Sequence, residues 1–304
     1  MDGPLVSIII PTYYRKESLR QSIESAITQD YPNTEIIVVD DSGERFAEEI
    51  VQSYDVQYIP HQENKGGNPA RNTGLRAAQG KYIQLLDDDD KIFKDKISKQ
   101  VDLLESVASS EVAYGGIIGR DRKKQYPRKE RGDSLKQALQ FVWPTTITSS
   151  LLISSEILSE IEPLSNRKAA DDIGMKIELA QRTEFVYVDS ILTEIGDSLD
   201  SRSASIEFVE ELQNIYEEYE NLYERYPDSI EKIAQTTIYR MRGNMLIMEK
   251  GWSASAIYWY FKGVLIMPNN IETLFAFFLS FFGRPGIQTG MLAQNHLQRT
   301  DAEK

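Results

Sequence analysis

Short apolar runs alternate with amphipathic stretches along the first hundred residues. Residues 6–11 read Val-Ser-Ile-Ile-Ile-Pro, residues 36–39 Ile-Ile-Val-Val, and residues 82–86 Tyr-Ile-Gln-Leu-Leu. Runs of this length that are rich in β-branched residues are typical of buried strands. Between them, residues 16–29 place apolar side chains at helical spacing, and residues 68–79 begin with the Asn-Pro pair of a helix start. This alternation predicts an α/β domain with a parallel, doubly wound sheet.

The pattern continues beyond residue 100, but with weaker periodicity. Residues 112–118 and 148–153 read as strands and residues 171–182 as a helix. A turn-rich stretch at residues 196–205 follows short closing strands. We therefore expect the α/β domain to comprise residues 1–205.

The remaining residues, 206–304, are predicted to form a helical C-terminal region. Residues 206–226 form an acidic amphipathic pattern, and residues 239–270 have the layout of a helical hairpin resembling one tetratricopeptide-type unit. Residues 274–282 read Leu-Phe-Ala-Phe-Phe-Leu-Ser-Phe-Phe, which is too short to cross a bilayer. Core packing and a peripheral membrane contact are the two interpretations of this segment.

Composition and charge narrow the class of protein. The formal net charge of −13 argues against nucleic acid as a partner, because phosphate binding needs a basic face. The chain contains no Cys, which excludes a disulfide framework and is compatible with a reducing cytoplasm. Neither a signal peptide nor a conventional transmembrane span is expected. We therefore predict a cytoplasmic location.

Four consecutive carboxylates, Asp87 to Asp90, follow the apolar run at residues 82–86. Unpaired charges are costly to bury, so they must lie where the strand emerges, at the edge where open α/β sheets bind ligands. Side chains alternate along an extended chain, so Asp87 and Asp89 are predicted to point the same way. Oxygen ligands of this kind suit Mg²⁺ or Mn²⁺. A solvated acidic turn is the alternative for such a run taken alone.

Two further acidic pairs fall at comparable places. Asp40 and Asp41 end the second predicted strand, at the same ligand-binding edge of a parallel sheet. Asp171 and Asp172 open the later helix. A helix N-cap is the structural alternative for that second pair, because Asp is favoured at this position.

Five segments of the chain resemble family 2 glycosyltransferases, with their motifs in the family's order and spacing from residue 5 to about 200. They are Val-Ser-Ile-Ile-Ile-Pro-Thr-Tyr at residues 6–13, Ile-Ile-Val-Val-Asp-Asp-Ser at 36–42, Gly-Asn-Pro-Ala-Arg-Asn-Thr-Gly at 67–74, Gly-Lys-Tyr-Ile at 80–83 and Leu-Asp-Asp-Asp-Asp at 86–90. The resemblance implies a GT-A fold, which is a Rossmann-like nucleotide-diphospho-sugar transferase domain, here with a C-terminal α-helical extension. It also implies transfer of a sugar, with inversion, from a nucleotide-diphosphate donor to an acceptor hydroxyl.

The resemblance assigns donor-binding roles to residues at the ends of the first strands. Pro11, Thr12 and Tyr13 would line the nucleotide base and ribose, and Asp41 would accept a hydrogen bond from the base. Asp88 would lie near the ribose. A uridine nucleotide is the family's commonest donor, so a UDP-sugar is expected.

The resemblance also assigns the reacting groups. Asp87 and Asp89 would belong to the family's D-x-D motif, with Asp89 the foremost ligand of Mn²⁺ or Mg²⁺. Arg71 would support this motif or the diphosphate, although a structural ion pair is its alternative role. Asp172 would be the general base. Glycosyl transfer requires both kinds of group. A cation offsets the charge of the leaving diphosphate, and a carboxylate takes the proton of the attacking hydroxyl.

The acceptor is less constrained. A phenylalanine-rich segment at residues 274–282 and a basic loop at residues 121–133 favour a lipid-linked sugar or cell-surface glycan at the inner face of the cell membrane. The chain lacks a Gln-x-x-Arg-Trp segment, so a single transfer is expected rather than processive synthesis.

Two other functions compete with glycosyl transfer. A sugar-1-phosphate nucleotidylyltransferase would need a glycine-rich loop after the first strand, where this chain has Pro-Thr-Tyr-Tyr-Arg. A non-catalytic GT-A-like scaffold could act through its helical C-terminal region. The intact set of Asp87, Asp89 and Asp172 argues against the scaffold, because unpaired carboxylates have no physical reason to stay together without a function.

Overall fold

The computed structural model describes residues 3–119, 123–127, 133–196 and 205–290. The chain forms two compact units, and each is assembled from separate stretches of sequence. The larger comprises Met1–Ala138, Trp143–Arg167 and Asp171–Asp200, and the smaller comprises Leu139–Val142, Lys168–Ala170 and Ser201–Lys304. The predicted domain boundary at residues 205 and 206 stays a prediction, since residues 197–204 lie outside the described part of the chain.

The larger unit is built on a nine-stranded mixed sheet. The order across the sheet is β3-β2-β1-β4-β8-β6-β9-β5, with β7 paired to β6. The strands are β1 Val6–Thr12, β2 Thr34–Asp40, β3 Gln57–Pro60, β4 Tyr82–Leu85, β5 Lys91–Ile92, β6 Val112–Ile118, β7 Lys124–Gln125, β8 Leu152–Ser154 and β9 Phe185–Glu194.

Strands β1 to β4 form the parallel part of the sheet, as the sequence predicts. β1 pairs in parallel with β2 and β4, and Thr12 lies opposite Asp40 in the register. The side chains of Ile8, Ile9 and Ile10 are fully buried. Because all these strands run the same way, the residues that follow β1, β2 and β4 meet at one edge of the sheet.

The other half of the sheet departs from a purely parallel arrangement. β8 runs antiparallel to both β4 and β6. The predicted strand at residues 148–153 is a 3₁₀ turn, Thr148–Ser150, followed by the short β8. The helix that follows β5 begins only at Lys96, because Ile92 pairs with β9. The two closing strands predicted at residues 185–195 form one irregular strand.

Seven helices flank the strands in the described part of this unit and its connections. Helix α3 lies directly on the sheet, since a Cβ atom at Gly74 would come within 2.3 Å of Ile9. This close approach fixes α3 against β1 and directs its first turn toward the carboxyl edge. The helices are α1 Glu17–Ile27, α2 Glu48–Val51, α3 Gly67–Ala77, α4 Lys96–Ser106, α5 Ser134–Leu139, α6 Ser155–Ser159 and α7 Asp171–Ala180.

The smaller unit is helical. Its small core is formed by Ile247, Ala256, Tyr260 and Ile287. Within the described residues no helix combines the length and the apolar character needed to span a membrane. The helices are α8 Ile206–Glu218, α9 Glu220–Tyr223, α10 Asp228–Lys250, α11 Ala254–Ile266 and α12 Ile271–Ser280.

Candidate functional site

The acidic run lies at the carboxyl edge of β4, where it forms a turn. The amide of Asp90 donates to the carbonyl of Asp87 at 3.0 Å, so the chain does not stay extended and the predicted alternation does not apply. The side chain of Asp87 is 35% exposed, that of Asp89 16% and that of Asp88 11%. Asp87 and Asp89 nevertheless remain the more accessible carboxylates, because Asp88 and Asp90 are buried.

Asp88 connects the acidic run to the end of β1. Its Oδ2 accepts hydrogen bonds from the Thr12 hydroxyl at 2.7 Å and from the Tyr13 amide at 3.4 Å. Burial raises the pKa of Asp88 to about 6, although the nearby Arg15 and Thr12 oppose that increase. Thr12 and Tyr13 therefore lie beside Asp88 at the end of β1.

Arg15 also contacts this motif, and sequence reasoning did not single it out. One guanidinium nitrogen lies 2.6 Å from Asp89 Oδ2 and 3.3 Å from Asp88 Oδ1. Neighbouring carboxylates repel one another unless a positive charge lies between them. The position of Arg15 directly after an apolar strand was therefore the sequence signal for such a charge. Arg15 thereby makes a cluster of carboxylates tolerable at this edge.

Arg71 links the acidic run to the start of helix α7. Its Nη2 lies 2.6 Å from Asp87 Oδ1, and its Nη1 donates to Asn68 at 2.9 Å and lies 3.8 Å from Asp171 Oδ2. The guanidinium is almost fully buried, with a side-chain exposure of 7%. Nε is buried with no hydrogen-bond partner among the described residues. Two carboxylates separated by 84 positions in the sequence therefore share one cation.

The segment before α7 is held against α3 by amide side chains. Asn72 accepts from the Leu164 amide at 2.8 Å and donates to the Leu164 carbonyl at 3.0 Å. Asn68 donates to the Ser165 carbonyl at 2.6 Å. These bonds position the beginning of α7 beside Arg71.

The two aspartates at the start of α7 have different surroundings. Asp171 is buried and accepts from the Arg167 amide at 3.2 Å, which ties the preceding segment to the start of the helix. This is not an N-cap bond, because an N-cap accepts from amides that follow it. The side chain of Asp172 is 28% exposed and lies 3.1 Å from the Lys176 ammonium. Lys176 is buried and was not anticipated from the sequence. Asp172 is thus the accessible member of the pair.

Asp41 binds the loop that leads into α3. Its Oδ1 lies 2.6 Å from His61 Nδ1 and accepts from the Lys65 amide at 2.9 Å, and its Oδ2 accepts from the Gly66 amide at 2.8 Å. A carboxylate offers about four acceptor positions, so these three contacts leave one, on a side chain that is only 5% exposed. Asp41 does not directly contact the network around Arg71. His61 was not singled out from the sequence.

Tyr13 and its neighbour present aromatic surface beside this loop. Tyr13 is 51% exposed and Tyr14 40%, and the Tyr14 ring packs 4.9 Å from that of Phe46. Tyr14 has φ of 52°, a left-handed conformation that costs a non-glycine residue free energy. Pro11 is half-buried at the end of the same strand. Strain of this kind accumulates at binding sites, where the surrounding structure maintains it.

Asp40 has a structural role that predicts a pH-dependent stability. Its carboxylate accepts from the amides of Ser42 at 3.0 Å and Ala47 at 2.8 Å and from the Tyr58 hydroxyl at 2.8 Å. Burial is the largest influence and raises the pKa of Asp40, but the hydrogen bonds outweigh it and lower the pKa below its usual value. Stability from this group is therefore present above the unfolded pKa and is lost as pH falls through the folded pKa.

We expect Asp40→Asn to lower the free energy of unfolding by about 2 kcal/mol at pH 7, because an amide cannot replace all three charge-assisted bonds. Urea unfolding at pH 7, 5, 4 and 3.5 measures the difference from wild type, which should shrink below about pH 4. Asp55→Asn, at an exposed position, is the control and should change stability by less than about 0.5 kcal/mol. A difference that grows toward acid pH would contradict this assignment.

The donor chemistry of the site fits a hard divalent cation. Asp87 and Asp89 supply carboxylate oxygens, and Mg²⁺ commonly uses one or two protein carboxylates together with substrate phosphates. Among the described residues, no group of three or more His, Cys, Asp or Glu is placed to hold a metal ion by itself. Any cation bound here would therefore complete its coordination with oxygen atoms of water or of a substrate.

Comparison with known proteins decides the family. The family model described as Glycosyl transferase family 2 matches residues 7–161, just over half of the chain. The chain belongs to glycosyl transferase family 2. The matched region contains β1 to β4 and the acidic run, so the family resemblance of these motifs is confirmed.

Curated relatives match the same part of the chain. A provisionally named teichuronic acid biosynthesis glycosyltransferase, TuaG of Bacillus subtilis, is 37% identical over 106 residues, which are 33% of this chain and 42% of TuaG. The uncharacterized glycosyltransferase MJ1057 of Methanocaldococcus jannaschii is 30% identical over 174 residues, which are 53% of this chain and 60% of MJ1057. The chain therefore spans less than two thirds of the length of either relative.

Solved structures share the fold over more of the chain. S. aureus TarS 1-349, solved in complex with UDP-GlcNAc, matches with a TM-score of 0.64 at 17% identity, covering 94% of this chain and 88% of that one. A longer S. aureus TarS structure matches with a TM-score of 0.56 at 18% identity, covering 88% and 50%. The predicted GT-A fold with a C-terminal α-helical region is confirmed.

Proposed function

We propose that this protein is an inverting, metal-dependent glycosyltransferase that moves a sugar from a UDP-sugar to an acceptor hydroxyl. The observation that carries the proposal is the position of Arg71 between Asp87 and Asp171, at 2.6 and 3.8 Å. This arrangement joins the acidic run to the helix that begins with Asp171 and Asp172. A donor site and a general base would thus be adjacent.

The donor would bind along the carboxyl edge of the sheet. Pro11, Thr12 and Tyr13 would line the base and ribose, with Asp41 accepting a hydrogen bond from the base and Asp88 near the ribose. The exposed ring of Tyr13 and the remaining acceptor position of Asp41 support these assignments. The complexes of TarS with UDP-GlcNAc and with UDP support a uridine nucleotide.

The diphosphate would lie near Arg71 and the accessible carboxylates. Mn²⁺ or Mg²⁺ held by Asp89, with Asp87 as second ligand, would offset the negative charge that the departing diphosphate acquires. Arg71, whose Nη2 lies 2.6 Å from Asp87, would help to hold this carboxylate beside the same phosphates. Arg15 would keep the carboxylates of Asp88 and Asp89 together while the site is empty of substrate.

Asp172 would act as the general base. A sugar hydroxyl is a weak acid, so a carboxylate must take its proton as it attacks the anomeric carbon. Asp172 is partly exposed and ion-paired with Lys176 at 3.1 Å, which would orient the carboxylate. A single displacement of this kind inverts the anomeric configuration.

The acceptor would be a lipid-linked or cell-surface glycan, and the protein would act in the cytoplasm at the inner face of the cell membrane. The name of TuaG, which refers to teichuronic acid biosynthesis, supports a glycan acceptor.

A thermal-shift panel of UDP, GDP and ADP, each with and without Mn²⁺, tests the donor site. We expect UDP with Mn²⁺ to stabilise the protein most, by about 2.7 kcal/mol at 100 times its Kd. For a chain of this size that corresponds to a rise in Tm of roughly 4 °C. Hydrolysis of a UDP-sugar in the presence of Mn²⁺ should accompany this binding.

The Asp89→Asn variant separates nucleotide binding from its metal-dependent part. It should bind UDP weakly and lose the additional stabilisation by Mn²⁺, while the exposed Asp55→Asn control behaves as wild type. Failure of every nucleotide to shift the Tm of the wild-type protein would refute the enzyme proposal. The non-catalytic scaffold would then be the better interpretation.

A further inference from the structure

Helices α11 and α12 expose two rows of large apolar side chains. In α11, Tyr258, Phe261 and Leu265 are 56%, 44% and 65% exposed, at a spacing of i, i+3 and i+7. A second row lies in and just after α12, where four apolar residues at i, i+4, i+7 and i+11 share one face of the helix. The second row is Ile271 at 80%, Phe275 at 53%, Phe278 at 57% and Phe282 at 73% exposed.

The two rows belong to one continuous surface, here called the aromatic face. Its seven exposed residues are joined by the rings between the helices, since Phe277 packs 5.8 Å from Phe261 and 5.5 Å from Phe278. Phe281 packs 5.3 Å from Phe277 and is itself 51% exposed. The indole Nε1 of Trp252, a residue 55% exposed, donates to the Phe281 carbonyl at 3.2 Å.

The helical unit does not need this surface for its own core. The buried cluster consists of Ala256 and Tyr260 on the other side of α11, Ile247 in α10 and Ile287 after α12. Single exposed apolar residues are common, but a contiguous apolar surface on a protein of mean hydropathy −0.41 marks a site of contact. The core-packing interpretation of residues 274–282 therefore does not account for most of their aromatic side chains.

The charge around the aromatic face favours one kind of partner. Residues 239–290 contain five Lys and Arg but only two Glu, in a chain whose net charge is −13. Lys262 lies 4.6 Å from the Tyr239 ring and 4.9 Å from the Trp259 ring, and Arg242 lies 4.7 Å from Trp259. Tyr, Trp and basic side chains beside Phe and Leu are the combination found where proteins lie in the lipid headgroup region.

We propose that the aromatic face is a docking surface for an anionic lipid bilayer, with Phe275, Phe278 and Phe282 inserted at the level of the acyl chains. Arg242 and Lys262 would lie among the anionic headgroups. A second copy of the chain fits less well, because a symmetric interface would bring the same positive residues together. Helix α12 has ten residues and a length of about 15 Å, so this contact is peripheral. The inference goes beyond sugar transfer and does not depend on it.

Sedimentation with vesicles tests this surface directly. The full chain should bind vesicles of phosphatidylcholine containing phosphatidylglycerol and bind phosphatidylcholine alone at least about tenfold more weakly. Binding should fall about tenfold between low salt and 1 M NaCl, because salt screens the headgroup charge. Fluorescence of the exposed Trp252 should shift to shorter wavelength on binding.

The double variant Phe278→Glu/Phe282→Glu should lose vesicle binding by about 100-fold, since two inserted aromatic side chains are removed. Tyr126→Glu, at an aromatic residue that is 54% exposed in the larger unit, is the matched control and should bind as wild type. The salt and lipid dependence of the wild-type protein keeps the test decisive even if the double variant does not fold. Equal binding to neutral vesicles, no binding to either, or self-association that the double variant abolishes would each overturn the proposal.

Discussion

Replacing Asp172 by Asn is expected to lower the rate of sugar transfer by about 10³-fold while leaving nucleotide binding intact. The amide has nearly the shape of the carboxylate but cannot take a proton from the acceptor hydroxyl. Asp172 begins α7 with a side chain that is 28% exposed, whereas the preceding Asp171 is buried against Arg71. The loss of transfer rate should therefore come from the missing proton acceptor at Asp172 and not from a change in the packing of α7.

Initial rates of sugar transfer and the Tm shift with UDP and Mn²⁺ measure the two properties separately. Glu178→Gln, the same change of carboxylate to amide on the same helix, is the control and should keep wild-type activity. The base assignment would be wrong if Asp172→Asn kept more than about a tenth of the wild-type rate. A variant that lost the UDP-dependent Tm shift would instead point to a binding role.

Replacing Arg71 by Met is expected to lower the free energy of unfolding by about 3 kcal/mol. Removing one partner of a buried ion pair leaves the other charge without compensation, and Asp171 is buried. We expect the lower end of the usual range for a buried pair because Asp87 keeps 35% of its side chain exposed. Urea unfolding at pH 7 gives the free energy difference.

Arg76→Met is the matched control for this experiment. Arg76 lies on the same helix, and its guanidinium donates to the Thr73 hydroxyl at an exposed position. Its replacement should change stability by less than about 0.5 kcal/mol. If the two variants unfolded at the same urea concentration, the bridge between the acidic run and α7 would not be a stabilising contact.

The sequence predicted the parallel half of the sheet because its strands carry strong local signals. The runs that form β1, β2 and β4 consist almost entirely of buried apolar residues, and each is followed by a turn or helix signal. β5 and β7 contain two residues each and β8 three, which is too few to produce a period. Their pairing depends on contacts with distant strands, so the existence of β5 and β7 could not be inferred. The strand predicted at residues 148–153 overlaps β8, but its shortness and its antiparallel direction could not be inferred either.

The rule that ligands bind at the carboxyl ends of parallel strands located the candidate site. The contacts within the site could not be predicted in this way. The contact between Arg71 and Asp171 depends on how α3 lies over β1, where Gly74 meets Ile9. The contacts of Arg15 and His61 depend on turn geometry that composition does not encode. The pair of Asp172 and Lys176, by contrast, lies at i and i+4 on one helix, a spacing that was an available signal. Likewise, the apolar sequence of residues 274–282 indicates a helix, but it does not show which side chains of that helix stay exposed.

The helical unit is interwoven with the sequence of the other unit, and this affects how the protein can be divided. The buried hydroxyl of Tyr223 donates to the carbonyl of Leu139 at 2.8 Å, across 84 positions of chain. A truncation after residue 200 would keep Leu139 but delete the tyrosine that satisfies it, and the detached C-terminal fragment would lack Leu139–Val142 and Lys168–Ala170. Recombination between relatives at this point would break one folding body in two, so the extension is expected to be inherited together with the middle of the catalytic sequence rather than exchanged as a module.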